Sequence, residues 1–235
     1  NSLFHKILTK EERLWLKSHP VIRVWFSPAR PPFEFIDAKG PHGIVPDYFE
    51  LFAKRLHVEF KQIEKEDGGF YSWKQILTLA AEKKIDILPG LIKTRSRGKF
   101  LNFSRSYINF PWVLVVRSKE SADSIKAFYG KKVASVGPYP STEQLSALHP
   151  ELDIVRVESP LDGLTRVARG QADAFFSNAA DAAFWIGKRK FQQLKIACWV
   201  EDIDSQLHIG VRKDWPVLVS ILNKALDSLT PEEHA

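Results

Sequence analysis

Two series of short apolar runs, each alternating with helix-patterned stretches, leave this chain few folds to choose from. In the first, Val21 to Phe26 reads as a strand. Tyr48, Leu51, Phe52 and Leu56 form the buried stripe of a helix opened by Pro46 and Asp47, and Val58 to Ile63 reads as a second strand. Trp73, Ile76, Leu77 and Ala80 form a second stripe, and Ile85 to Leu88 a third strand, cut off by Pro89 and Gly90. Strand, helix, strand, helix, strand argues for a parallel sheet with crossover helices.

Trp112 to Arg117 is a further strand, and after a break at Ser118 to Ser124 the second series begins. It runs through the strand Lys132 to Val136, the loop Gly137-Pro138-Tyr139-Pro140, and a helix to Leu148 capped by Ser141 or Thr142. The strand Ile154 to Val157 and a helix opened by Ser159-Pro160 follow, then the strand Asp173 to Phe176, a helix capped by Asn178 and the strand Leu194 to Val200. At the front, Leu8 to Lys17 is an amphipathic helix with Thr9 and Glu12 at capping-box spacing, and Lys39 to Gly43 reads as a turn. The end is a strand, Leu207 to Val211, and a helix capped by Asp214. The apolar face of that helix, Leu218, Ile221, Leu222, Ala225, Leu226 and Leu229, needs a partner surface.

At 235 residues, 44% hydrophobic and 26% charged, the chain has the makings of one large or two modest globular domains. Its net charge of +6 is spread along the sequence, which favours anionic partners, and the short run Lys188-Arg189-Lys190 does not read as a nucleic-acid surface. Cys198 is the single cysteine and lies in an apolar run, so it reads as an inert buried thiol. The longest apolar run, Phe110 to Val116, is too short to span a bilayer. With no signal peptide, no methionine and Asn1-Ser2 in front, the sequence is expected to be a mature or excised domain.

G-x-S-x-G, H-E-x-x-H, G-x-G-x-x-G and P-loop patterns are absent, and the seven histidines lack metal-ligand spacing, so no catalytic residue, metal or cofactor is predicted. The informative stretch is Asp86 to Ser104. An apolar strand stops at a Pro-Gly pair, a polar turn from Thr94 to Gly98 carries Arg95 and Arg97, and a second extended segment follows. In open α/β sheets, ligands sit beyond the carboxyl ends of strands. An arginine there offers a planar fork of donors to a carboxylate or phosphate. Taken alone, both arginines read as solvated surface charges.

Several short motifs in order give that turn its context: Pro32-Phe33-Glu34-Phe35, Gly43-Ile44 with Asp47, Ile85-Asp86-Ile87, Thr94-x-x-Arg97, Phe103-Ser104-x-x-Tyr107 and Gly170-Gln171-Ala172-Asp173-Ala174. Together they resemble the family-3 extracellular solute-binding proteins. The opening Leu8-Thr9-Lys10-Glu11-Glu12 with His19-Pro20, and the closing Gly210-Val211-Arg212-Lys213-Asp214-Trp215-Pro216, resemble the periplasmic sensor domains of hybrid histidine kinases.

The resemblance implies an α/β, two-lobed periplasmic-binding-protein (Venus-flytrap) fold, each lobe a sheet flanked by helices. Residues 1–106 with 206–235 would form lobe one and 107–205 lobe two, with hinge crossings near Tyr107 and Asp204. A small anionic, carboxylate-bearing molecule would bind between the lobes. Arg97 falls on the family's carboxylate-clamping arginine. Gly90, Leu91 and Ile92 align with backbone that contacts ligand, with Thr94 beside them, and Tyr71 and Trp73 align near an aromatic that covers it. Arg30 is a second anion donor or a rim charge. Ser141 and Thr142, next to Tyr139, stand at a helix start whose free N–H groups can take an anion. Asn178 stands where amino-acid binders carry an Asp, and Ile92 where they carry Ser or Thr.

The implied partners are that ligand and the rest of a receptor chain or a membrane partner, with no nucleic acid, in the periplasm and membrane-tethered. Two alternatives stay open. One is a free binding component of an ABC importer. The other is a cleft enzyme of dehydratase type, in which Glu34, Asp67 or Glu143 would be acids rather than solvated or capping carboxylates.

Overall fold

The computed structural model describes residues 2–137 and 139–234, so Pro138 of the predicted loop lies outside the described residues. The chain divides into two compact units, Asn1–Ile108 with Gln206–Ala235, and Asn109–Ser205.

The first unit opens with α1 (Ser2–Ile7) and α2 (Lys10–Ser18), and a capping box closes on Thr9 and Glu12. β1 (Val21–Val24), β2 (Ala29–Arg30), β3 (Glu34–Asp37) and β4 (Gly40–His42) follow. The predicted turn at 39–43 is instead largely β4, because β2, β3 and β4 make a small antiparallel sheet of their own. α3 (Ile44–Leu56) starts two residues before Pro46. Gly43, at φ 112°, makes that start possible: a Cβ there would lie 2.6 Å from the Pro32 carbonyl oxygen, and the next amide, Ile44 N, bonds to that oxygen at 3.2 Å. β5 (Glu59–Gln62), α4 (Trp73–Ala81) and β6 (Ile87–Leu91) complete the first alternation, and a 3₁₀ turn (Arg97–Lys99) leads into β7 (Leu101–Asn109).

In the second unit, β8 (Trp112–Arg117) and a 3₁₀ turn (Ile125–Phe128) precede β9 (Lys132–Val136) and α5 (Pro140–Leu148). β10 (Asp153–Val157), α6 (Pro160–Ala168), β11 (Ala174–Asn178), α7 (Ala179–Arg189) and β12 (Leu194–Val200) complete it. The chain returns to the first unit as β13 (Gln206–Arg212), α8 (Pro216–Asp227) and α9 (Pro231–His234).

The main sheet of the first unit has the order β5-β1-β6-β13-β7. β1 is parallel to β5 and β6, and the returning β13 runs antiparallel to β6. Contrary to the expected stop at Pro89-Gly90, β6 continues through both residues. Its register against β13 slips between Leu88↔Gly210 and Leu91↔His208, with the extra residue on β6. A bulge is where a strand tolerates proline, because no ladder hydrogen bond is then asked of it.

α8 buries Leu218, Ile221, Leu222, Ala225 and Leu226 and lies against α2, α3 and β13. Glu12 fastens it: the carboxylate accepts from Ser220 Oγ and Lys224 Nζ, each at 2.7 Å. Asp214 does not cap α8, as the sequence suggested. Arg212 holds both its oxygens at 2.8 Å, which leaves Trp215 in the cap position before Pro216. Arg212 also stacks on Trp215, 4.4 Å from the ring centroid, and joins Arg23 on the buried Asp86. The end of β13 is thereby tied to β1 and to the start of β6.

The second unit's sheet, β10-β9-β11-β8-β12, is parallel across β10, β9 and β11 and antiparallel at β8. Both of its faces are apolar, one burying Leu114, Leu145 and Phe176, the other Val115, Leu164 and Phe175. α6 lies so close to the second face that a Cβ on Gly163 would sit 2.3 Å from the Phe175 ring. Cys198 is buried and free, and its burial pushes the thiol pKa up, away from reactivity.

Candidate ligand-binding site

The bulge in β6 frees backbone carbonyls from the ladder, and side chains take them. Tyr107 Oη donates to Pro89 O at 2.7 Å, and Arg30 Nη1 to Gly90 O at 2.9 Å. Just beyond the strand, Arg97 Nη1 donates to Ile92 O at 2.6 Å. Three polar side chains from β2, β7 and the 3₁₀ turn thus converge on the carboxyl end of one strand.

Arg97 is held there by its surroundings. Thr94 Oγ1 accepts from Arg97 N at 3.3 Å. The first residue of α4, Trp73, lays its ring 5.3 Å from the guanidinium carbon. Only 8% of Arg97 is exposed, and it makes no ion pair among the described residues. Burial first, then the charge of Arg30, draws its pKa down from the ordinary guanidinium range to about 10. A buried cation with no carboxylate beside it is an incomplete electrostatic arrangement. Arg95, on the same turn, is exposed.

Arg30 faces Glu34, its Nη2 3.6 Å from Oε1. Glu34 is neither a solvated nor a capping carboxylate: it is 3% exposed. Burial pushes its carboxyl up, and Arg30 and the Ser27 amide pull it part of the way back. Its Oε2 has no partner among the described residues. Burial, then the charge of Glu34, pushes the Tyr107 hydroxyl well above its ordinary 10. The tyrosine ring packs edge-on against Tyr48 at 5.1 Å. Glu34 and Tyr107 are the members of this cluster the sequence reading did not count as ligand residues. The signal was there for Glu34, a carboxylate flanked by Phe33 and Phe35.

Gly90 leaves the space that Arg30 fills, since a Cβ on it would meet Arg30 Nη2 at 2.9 Å. Leu91 turns into the core with Trp25 and Ile76, and Tyr71 packs on the same cluster. Gly90, Ile92, Arg30, Arg97, Thr94 and Trp73 are therefore brought together, while Leu91 and Tyr71 act as packing.

The predicted residues of the second unit are more fully occupied. α5 begins at Pro140 with Tyr139 as its cap, so Ser141 and Thr142 lie inside the helix rather than capping it. Proline prefers that first position. The Thr142 hydroxyl donates to Val136 O at 2.7 Å, and its amide bonds to Tyr139 O at 3.0 Å, so this N–H is not free for an anion. Asn178 caps α7 as expected, Oδ1 accepting from Ala180 N at 2.9 Å, and Nδ2 donates to Phe110 O at 3.1 Å. Tyr139 is exposed. An open depression of about 400 Å³ lies elsewhere in this unit, beside Pro111, Trp199 and Glu201, and none of the predicted ligand residues lines it. Asp67 and Glu143 are exposed and paired with Lys65 and Arg156. Among the described residues no group of three His, Cys, Asp or Glu could hold a metal, and no helix is long and apolar enough to cross a membrane.

The virulence sensor protein BvgS of Bordetella pertussis is 25% identical over 233 residues, and the sensor protein EvgS of Escherichia coli K12 is 25% identical over 228. These matches cover 98% and 96% of this chain and 18% of each relative, so the chain spans about a fifth of their length. The crystal structure of the BvgS periplasmic VFT2 domain superposes with a TM-score of 0.84 at 25% identity, covering 97% of this chain and 95% of that one. The arginine-bound form of truncated ArgBP from T. maritima gives 0.71 at 28% identity, covering 92% and 99%. The fold is thus the two-lobed Venus-flytrap, and these relatives are sensor and solute-binding domains, not catalytic ones. The sequence profile of one family matches residues 22–234, and the chain belongs to that family, the bacterial extracellular solute-binding proteins, family 3.

Proposed function

We propose that this is the periplasmic, membrane-tethered ligand-sensing domain of a signalling receptor of the histidine-kinase kind, and that it binds a small carboxylate-bearing ligand through Arg97. The relatives that cover nearly the whole chain are sensor proteins. The observation that carries the site reading is Arg97 itself, buried and without an ion pair among the described residues. Ile92 stands where amino-acid binders offer a hydroxyl, and both polar atoms of Asn178 are engaged locally, which supports a carboxylate without an α-amine. Signalling follows if the ligand prefers one of two conformations, related by a change at the chain crossings between the units, and shifts their populations.

A thermal-shift screen of organic acids finds the ligand, because one that binds only the folded state raises the melting temperature. Calorimetric titration of Arg97→Ala then tests the site. Loss of a charge-assisted hydrogen bond, about 1.5–3 kcal/mol, weakens affinity roughly ten- to hundredfold. Arg97→Lys restores part of it, and Arg95→Ala changes it little. Equal losses at Arg95 and Arg97 would mean a diffuse field instead of a clamp. The likeness to an arginine-binding protein favours a second reading, a free importer component. A full-length gene that ends just past Ala235 behind a signal peptide would establish that reading, and one that continues into a membrane segment and kinase would exclude it.

A further inference from the structure

We infer that the ligand of this site carries two negative charges, and that Arg30 is the residue that selects a dianion over a monoanion. The inference rests on the Arg97 site proposed above and extends it to the ligand's charge. Arg30 and Arg97 donate to the carbonyls of Gly90 and Ile92. Two residues of chain span at most about 7 Å, so two guanidiniums are anchored to one short stretch of backbone. They are close enough that the charge of Arg30 helps depress the pKa of Arg97.

One acidic side chain lies between these cations and neutrality, and it is a poor counter-ion. Glu34 Oε1 stands 3.6 Å from Arg30 Nη2, beyond hydrogen-bond reach. Burial favours its protonated form. The other groups around it supply no second cation. Tyr107 on β7 is neutral, Val45 on α3 is apolar, and Gly90 on β6 presents only backbone. A monoanion on Arg97 would leave Arg30, its side chain 31% exposed, with only the 3.6 Å contact to Glu34 to offset its charge. A dianion, either a short dicarboxylate or a phosphate, gives each fork an oxyanion to hold. A Cβ at Gly90 would lie 2.9 Å from Arg30 Nη2, so a side chain there would push the Arg30 guanidinium aside.

The test is calorimetric titration, at constant ionic strength, with acetate, butyrate, succinate, glutarate and inorganic phosphate. The dianions are expected to bind at least about tenfold more tightly than the monoanions, and whether succinate and glutarate or phosphate binds decides the chemical source. Arg30→Gln, with melting curves to confirm folding, removes that preference: dianion affinity falls roughly ten- to hundredfold while monoanion affinity stays within about twofold. Gly90→Ala, which displaces Arg30 without deleting it, reproduces the loss. Equal affinity for mono- and dianions overturns the inference. So does an equal loss of both in Arg30→Gln, or the absence of any dianion binding at millimolar concentration. If Arg97→Ala weakens binding and Arg30→Gln does not, only the charge selection falls. If Arg97→Ala has no effect, the site reading falls with it.

Discussion

Arg97→Met separates a ligand-binding cation from a structural one. The substitution keeps an unbranched chain of similar length under the Trp73 ring and removes the charge. Three contributions set its effect on stability. A pKa held down to about 10 corresponds to about 3 kcal/mol against burying the charge. The bond to Ile92 O, 2.6 Å long, works the other way at about 1.5–3 kcal/mol. The stacking on Trp73 adds about 0.5–2 kcal/mol, part of which a thioether regains through its own contact with the ring. Gain and loss nearly cancel, leaving a net change within about 1 kcal/mol. For a chain of this size that moves the melting temperature by less than about 4 °C. Binding, in contrast, should weaken by more than about tenfold. Calorimetric melting and titration of the same sample give both numbers. A fall of more than about 8 °C would show that Arg97 holds the turn together, and would refute the claim that its charge is kept for a ligand.

Three further outcomes follow from the packing. The folded protein holds the Glu34 proton more tightly than the unfolded chain, so unfolding releases it and the Glu34 contribution to stability declines as pH rises above 4.5. Glu34→Gln, still facing Arg30 and Tyr107, should therefore gain in melting temperature relative to the parent between pH 4 and pH 7, and an offset constant with pH would contradict the buried-carboxyl assignment. Gly163→Ala places a methyl 2.3 Å from the Phe175 ring and should lose about 1–3 kcal/mol by urea unfolding, whereas an unchanged midpoint would mean that α6 can slide on the sheet. Glu12→Ala removes the capping-box partner of Thr9 and leaves Lys224 and Ser220 without their acceptor, at about 1–3 kcal/mol; if Lys224→Met costs as much, the bridge to α8 matters more than the cap.

The bulge in β6 shows why site and fold differ in how far they can be read ahead. Pro89-Gly90 looks like a strand end, because proline removes a ladder donor and glycine favours turns. Only the returning strand β13, more than a hundred residues later, provides a register slip that accepts both. The carbonyls this frees are the acceptors for Arg30 and Tyr107, so the site inherits the same long-range dependence. Asp214 looked like a helix cap by its position and became an ion-pair partner, because Arg212 lies within reach of its carboxylate.

What the sequence determined by itself is whatever depends on neighbours within a helical turn or along a strand. The Thr9–Glu12 capping box, the Ser159 and Asn178 caps and the apolar run of β8 all have their causes within a few residues, and all stand where they were read. The alternation of such elements was enough for the α/β class, and the ordered motifs for the family. The electrostatics needed the tertiary structure. Asp86 takes Arg23 from 63 residues away and Arg212 from 126, and Glu12 takes Lys224 from 212. Burial decides whether a charge such as Arg97 or Glu34 is an ordinary surface group or a strained one, and burial is a property of everything packed around it rather than of its place in the chain.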